Sequence, residues 1–133
     1  MRFILIAVIF LLGLLDLFIG LSFLFDPQVT AASAGFSIEP ITTTGIATIR
    51  ADMTAFFCVS AVCMMWGAWR GNADLLLVPA GLFGTAMVVR IASIVIDGPG
   101  PSYLMPIVVE AAHFAALLAA WRFLPHHRLE ELS

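Results

Sequence analysis

The chain has 133 residues, of which 62% are hydrophobic and only 11% are charged, and its formal net charge is −3. Soluble domains carry roughly 25% charged residues, and a small soluble fold exposes too much of its surface to hide this much apolar area. The six basic residues are all arginines scattered along the chain, which excludes a basic nucleic-acid-binding patch. We therefore expect an integral membrane protein.

Four apolar runs are long enough to cross a hydrocarbon core, which takes about 20 helical residues. In chain order they cover about residues 3–25, 45–69, 75–96 and 103–124. Each run is followed by proline, glycine or charged residues that end a helix. Strands of a membrane β-barrel need only about 10 residues. The sequence therefore predicts an all-α, antiparallel four-helix transmembrane bundle that forms a single domain over residues 1–133.

The arginines near the ends of the runs predict the orientation. They lie at the N-terminus, in the second link and in the C-terminal segment: Arg2, Arg70, Arg122 and Arg128. The first and third links carry acids and no basic residue: Asp26, Glu39 and Asp97. By the positive-inside rule both termini are expected in the cytoplasm, and we predict a multi-pass protein of a bacterial inner membrane.

Ionisable residues inside the runs are the most informative feature. There are six: Asp16, Arg50, Asp52, Arg90, Glu110 and His113. An Asp or Arg at a helix centre costs about 2.5–3.5 kcal/mol, so such residues are expected to pair or to face the bundle interior. With a rise of 1.5 Å per residue, all six lie roughly 8–15 Å below the outer boundary. The sequence predicts one polar site that receives charge from all four helices and opens toward the periplasm.

Helical geometry reduces this set. Arg50 and Asp52 are two residues apart and point nearly opposite ways, so only one of them can face the interior. Glu110 and His113 are three apart and are neighbours. Arg90 lies at the depth of Glu110 across a short link, and we expect it to pair with Glu110 or Asp16. The predicted site is Asp16, Arg50, Arg90, Glu110 and His113, with Asp52 at the membrane interface or an oligomer contact.

Three functions fit these residues. Two arginines can hold a phosphate or carboxylate, so the leading hypothesis is a binding or accessory membrane protein that takes an amphiphile or lipid headgroup between Arg50 and Arg90. Since Asp16 and Glu110 balance those arginines, the second hypothesis is that the charges serve only as packing pairs in a structural subunit of a larger membrane complex or homo-oligomer. The third hypothesis is an intramembrane enzyme or proton relay that uses Glu110 and His113 as acid and base.

A metal site is disfavoured. Glu110 and His113 form one Glu-x-x-His unit, whereas di-iron bundles use two such units and two further glutamates. Two arginines in the same layer would also repel a cation. We expect no metal and no other cofactor, and the sequence identifies no catalytic residue of a known enzyme class.

The stretch from Arg50 to Glu110 resembles a family of small four-span bacterial membrane proteins catalogued as a domain of unknown function. The likeness is carried by Arg50, Arg90, the segment Asp97-Gly98-Pro99 and Glu110. The resemblance implies a four-helix membrane fold and supplies no activity. An acidic residue expected beside Arg50 is replaced here by Ile49, and Asp52 is the nearest acid.

Overall fold

A computed structural model describes residues 2–35, 42–100 and 102–126, and these contain helices and no strand. The helices are α1 (Arg2–Phe25), α2 (Pro27–Ser33), α3 (Thr43–Arg70), α4 (Leu77–Asp97) and α5 (Leu104–Phe123), with a 3₁₀ turn at Ala73–Leu76. Four of these segments are long and apolar enough to cross a membrane. The predicted all-α transmembrane bundle is confirmed, and the chain is a multi-pass membrane protein. Glu39 and Arg128, used above for orientation, lie outside the described residues.

The four long helices form a ring in which each packs against two neighbours. α1 packs along α3 and α4 along α5, while contacts between α3 and α4 and between α1 and α5 close the ring. At one end, the amide of Ala73 donates to the carbonyl of Pro125 over 3.0 Å, which ties the α3–α4 link to the end of α5. We call this the terminal end, and the opposite end, with the α4–α5 link, the distal end.

The first link contains a short helix that the hydropathy pattern did not predict. Asp26 is its N-cap, and its carboxylate accepts the amide of Val29 at 3.1 Å. Pro27 follows at the first helical position, where a missing amide hydrogen is tolerated. The Asp26-Pro27 sequence therefore both ends α1 and begins α2. At the end of α2, Gly35 approaches Ser102 of the α4–α5 link.

Close packing between α1 and α3 depends on small residues in α1. A stripe of α1 is buried at helical spacing: Ile9, Gly13, Asp16, Gly20 and Phe23. The hydroxyl of Thr54 on α3 donates to the carbonyl of Gly20 at 3.3 Å. A Cβ at Gly20 would lie 2.7 Å from the sulfur and 3.1 Å from the amide nitrogen of Cys58. The absence of a side chain at Gly20 is therefore what permits this approach.

We predict that Gly20→Ala destabilises the bundle and that Gly81→Ala does not. Overpacking typically costs about 1–3 kcal/mol, whereas alanine gains at most about 1 kcal/mol in helix propensity. At Gly81 a new Cβ would meet no atom within 4 Å, so only the gain remains. Thermal unfolding in detergent should show a lower midpoint for Gly20→Ala only. Equal midpoints for the two variants would contradict tight α1–α3 packing.

The core is concentrated toward the terminal end. An aromatic layer of Phe23, Phe56, Phe57 and Phe83 crosses the bundle, with ring centroids 5.0–6.5 Å apart. The buried residues of α3 begin only at Ser60, and those of α4 end at Gly84. The distal halves of α3 and α4 therefore lie outside the close-packed core, and their side chains are more exposed.

Candidate functional site

The first polar pair joins α4 to α5. Arg90 donates from Nη2 to Oε1 of Glu110 at 2.8 Å, and from Nε to Oε1 and Oε2 at 3.0 and 3.2 Å. The pairing of Arg90 with a carboxylate, expected from equal depth across a short link, is confirmed. Glu110 is 7% exposed, but 41% of the Arg90 side chain is accessible. The pair thus joins a buried carboxylate to a partly accessible guanidinium group.

The open part of Arg90 lines a pocket at the distal end. This distal pocket has a volume of about 210 Å³. Its lining includes Gly35, Arg90, Ser93, Asp97, Ser102 and Tyr103. Arg90, Ser93 and Asp97 follow one another at three- and four-residue spacing, so they form one face of α4. The third guanidinium nitrogen, Nη1, donates no hydrogen bond to any described residue.

The second polar pair joins α1 to α5, and both of its side chains are buried. Nε2 of His113 lies 3.4 Å from Oδ1 of Asp16. Asp16 is 0% and His113 5% exposed, and the imidazole stacks on the ring of Phe83 with centroids 4.4 Å apart. This pair belongs to the close-packed core, whereas Arg90 faces the distal pocket.

The orientation of the His113 ring follows from a hydrogen bond within α5. His113 Nδ1 lies 2.9 Å from the carbonyl oxygen of Val109. Because a carbonyl only accepts, Nδ1 carries the hydrogen. Nε2 then faces the Asp16 carboxyl group inside the core.

Asp16 has unsatisfied hydrogen-bonding capacity. Both of its oxygens, His113 Nε2 and Ser60 Oγ are buried without a hydrogen bond to any described residue. Gly13 packs on Met64, and Gly20 packs on Phe57, so the antiparallel register places Ser60 at the level of Asp16. Ser60 was not among the predicted site residues, because its depth relative to Asp16 depends on this register.

The expectation that Arg50 faces the bundle interior is wrong. Its side chain is exposed, and it makes no ion pair or hydrogen bond with any described residue. The reason is that the distal half of α3 lies beyond the close-packed core. Asp52 is also exposed, as expected for a residue outside the interior set. The structure brings four of the five predicted residues together as two separate pairs and leaves out Arg50.

Glu110 and His113 serve different partners although they are neighbours on α5. Glu110 turns to Arg90 on α4, and His113 turns to Asp16 on α1. Within the described residues no hydrogen bond joins the two side chains, and no three His, Cys, Asp or Glu residues gather as a metal site. Glu110 and His113 therefore belong to two separate polar pairs.

Ser93, Asp97 and Tyr103 line the distal pocket and were not among the predicted site residues. The available signal was the spacing of Arg90, Ser93 and Asp97 along one face of α4. Asp97 was instead used for the membrane orientation and for the family resemblance.

Comparison with known proteins places the chain in a family. The family model described as Domain of unknown function (DUF4345) matches residues 4–121, and the chain therefore belongs to this family. No curated protein and no solved structure gives a significant match.

Proposed function

We propose that this member of the DUF4345 family is an integral membrane binding protein that holds the polar headgroup of an amphiphile in the distal pocket. The observation that carries the proposal is the state of Arg90. Glu110 orients the guanidinium through Nε and Nη2, while Nη1 donates to no described residue and 41% of the side chain is accessible beside the pocket that Arg90 lines. A guanidinium with oriented, unused donors is suited to phosphate or carboxylate oxygens.

The contrast between the two polar pairs supports binding over packing at Arg90. A pair that only fixes helix packing is expected to be sealed, as Asp16 and His113 are. Arg90 instead keeps 41% of its side chain accessible next to a pocket. Since Glu110 already holds the guanidinium in place, little side-chain freedom remains to be lost when a ligand binds.

The size and surroundings of the pocket favour an amphiphile. Pockets for drug-sized ligands are typically about 300–1,000 Å³, so a pocket of about 210 Å³ accommodates a headgroup and not a whole lipid. On the bilayer-centre side of Arg90, α4 exposes Val88 and Val89, and α5 exposes Leu118. The headgroup would occupy the pocket, and its tail would lie along these apolar faces.

The proposed location is a bacterial inner membrane with both termini in the cytoplasm. Four spans place the termini on one side. Arginines gather at the terminal end, with Arg2, Arg70 and Arg122, whereas the distal end carries Asp26 and Asp97. The positive-inside rule then makes the distal pocket periplasmic.

The proposal predicts that Arg90→Lys loses bound lipid. Lysine keeps a positive charge for Glu110, but its ammonium group lacks the planar arrangement of N–H donors with which a guanidinium can bind Glu110 and a ligand at the same time. Because hydrogen bonds to charged groups contribute about 1.5–3 kcal/mol, we expect at least tenfold weaker binding. Native mass spectrometry of protein titrated with a bacterial polar lipid extract measures the bound fraction.

Arg50→Lys is the matched control, since Arg50 is an exposed arginine of α3 that does not line the pocket. It should bind lipid as the wild type does. Equal lipid binding by wild type, Arg90→Lys and Arg50→Lys would exclude the distal pocket as the binding site.

A further inference from the structure

We infer that the distal pocket selects a zwitterionic headgroup in which a phosphate is joined to a primary ammonium group, the chemistry of phosphatidylethanolamine. The inference rests on the proposed function and names the ligand class of the same site. It follows from the charges that line the pocket, from their order along α4 and from the position of Asp97 at a helix end.

The charge balance disfavours a purely anionic headgroup. Arg90 is neutralised by Glu110 behind it, and the pocket is also lined by Asp97. When all three are ionised, Arg90, Glu110 and Asp97 have a net charge of −1. A phosphate can still bind the free Nη1 of Arg90, but an anionic lipid would bring no cation to Asp97. A headgroup with its own ammonium satisfies both residues.

The order of the charges matches the order of groups in a membrane lipid. Arg90 and Asp97 are seven residues apart, which is two helical turns and about 10.5 Å along the axis. Arg90 is nearer the bundle centre, and Asp97 lies at the distal end of α4. From the bilayer centre outward, the ligand's tail, phosphate and ammonium then meet apolar residues, Arg90 and Asp97 in turn.

The helix end adds to the preference for a cation at Asp97. Asp97 is the last residue of α4, where the unpaired carbonyl groups carry partial negative charge. The amide of Gly98 satisfies only the carbonyl of Ile94, at 3.1 Å. The hydroxyl groups of Ser93, Ser102 and Tyr103 also line the pocket, and a hydroxyl can accept from an ammonium or donate to a phosphate.

The test is a competition between two lipids with matched acyl chains. Native mass spectrometry records the bound fractions of phosphatidylethanolamine and phosphatidylglycerol offered at equal concentration. We expect wild type to favour phosphatidylethanolamine about 1.5- to fivefold, the range for an accessible charge contact. Asp97→Asn should abolish this preference. Asp52→Asn, which changes an exposed acid of α3 away from the pocket, should keep it.

The outcomes separate the inference from the proposed function. If wild type binds phosphatidylglycerol as well as or better than phosphatidylethanolamine, or Asp97→Asn keeps the preference, the zwitterion inference is overturned. The binding function still stands in that case if Arg90→Lys loses both lipids. If Arg90→Lys binds both lipids as wild type does, the proposed function fails, and the inference fails with it.

A second arm identifies the source of the headgroup. Glycerophosphoethanolamine has the same phosphate and ammonium groups but no acyl chains. It should displace bound phosphatidylethanolamine only at a concentration far above that of the lipid, because the tail contacts are missing. Displacement at equal concentration would show a site for a soluble phosphoethanolamine compound and would overturn the membrane-lipid assignment.

Discussion

His113→Leu is expected to destabilise the bundle by about 3–5 kcal/mol, the loss typical of a buried pair that is broken by removing one partner. Asp16 is 0% exposed and faces His113 across 3.4 Å, so the variant leaves a carboxyl group with no partner in the core. Because folded domains are stable by only about 5–15 kcal/mol, thermal unfolding in detergent should show a large fall in the midpoint.

A double-mutant cycle isolates the contribution of the pair. His113→Leu also removes the ring that stacks on Phe83, and the cycle subtracts this loss. Asp16→Ala combined with His113→Leu should be more stable than His113→Leu alone, since neither polar group then remains unpaired. If the two single losses simply add, Asp16 and His113 are not coupled and the pair is not what holds α1 against α5.

Arg90→Met is the second large effect, and we expect a loss of about 3 kcal/mol. The variant leaves Glu110, which is 7% exposed, without the guanidinium that satisfies both of its oxygens. The loss should lie at the low end of the range because the distal pocket gives water a route toward the vacated position. Arg50→Met is the matched control: Arg50 is exposed, so its replacement should change stability by no more than about 0.5 kcal/mol.

Arg90→Met with Glu110→Leu separates folding from binding. With both charges removed, no buried group is unpaired, and the double variant should recover most of the lost stability. It should nevertheless retain no lipid, because Nη1 of Arg90 is gone. Thermal unfolding with and without added bacterial lipid measures both properties. A double variant that is as unstable as Arg90→Met would contradict the pairing, and one that lipid still stabilises as it does wild type would contradict the pocket.

Several features follow from the sequence alone because they depend on position along a helix axis. Hydropathy over about 20 residues determines the four spans. A fixed rise of 1.5 Å per residue determines depth, and a short link makes α4 and α5 neighbours. Arg90 was therefore predicted to pair with Glu110 or Asp16, and Glu110 is its partner. Asp-Pro at residues 26–27 is also a local capping signal for α2, although the hydropathy pattern did not indicate that helix.

The remaining features depend on rotation about each axis and on where helices stay in contact, which only the tertiary structure decides. Arg50 and Arg90 were placed near one depth, but α3 and α4 are close-packed only as far as the aromatic layer, so Arg50 is exposed. His113 pairs with Asp16 because Gly13 and Gly20 let α1 lie close to α3 with Asp16 turned inward. Asp97 joins the pocket because the face of α4 that carries Arg90, Ser93 and Asp97 lines it over two helical turns. Depth is a property of one chain segment, whereas facing is a property of the packing between segments.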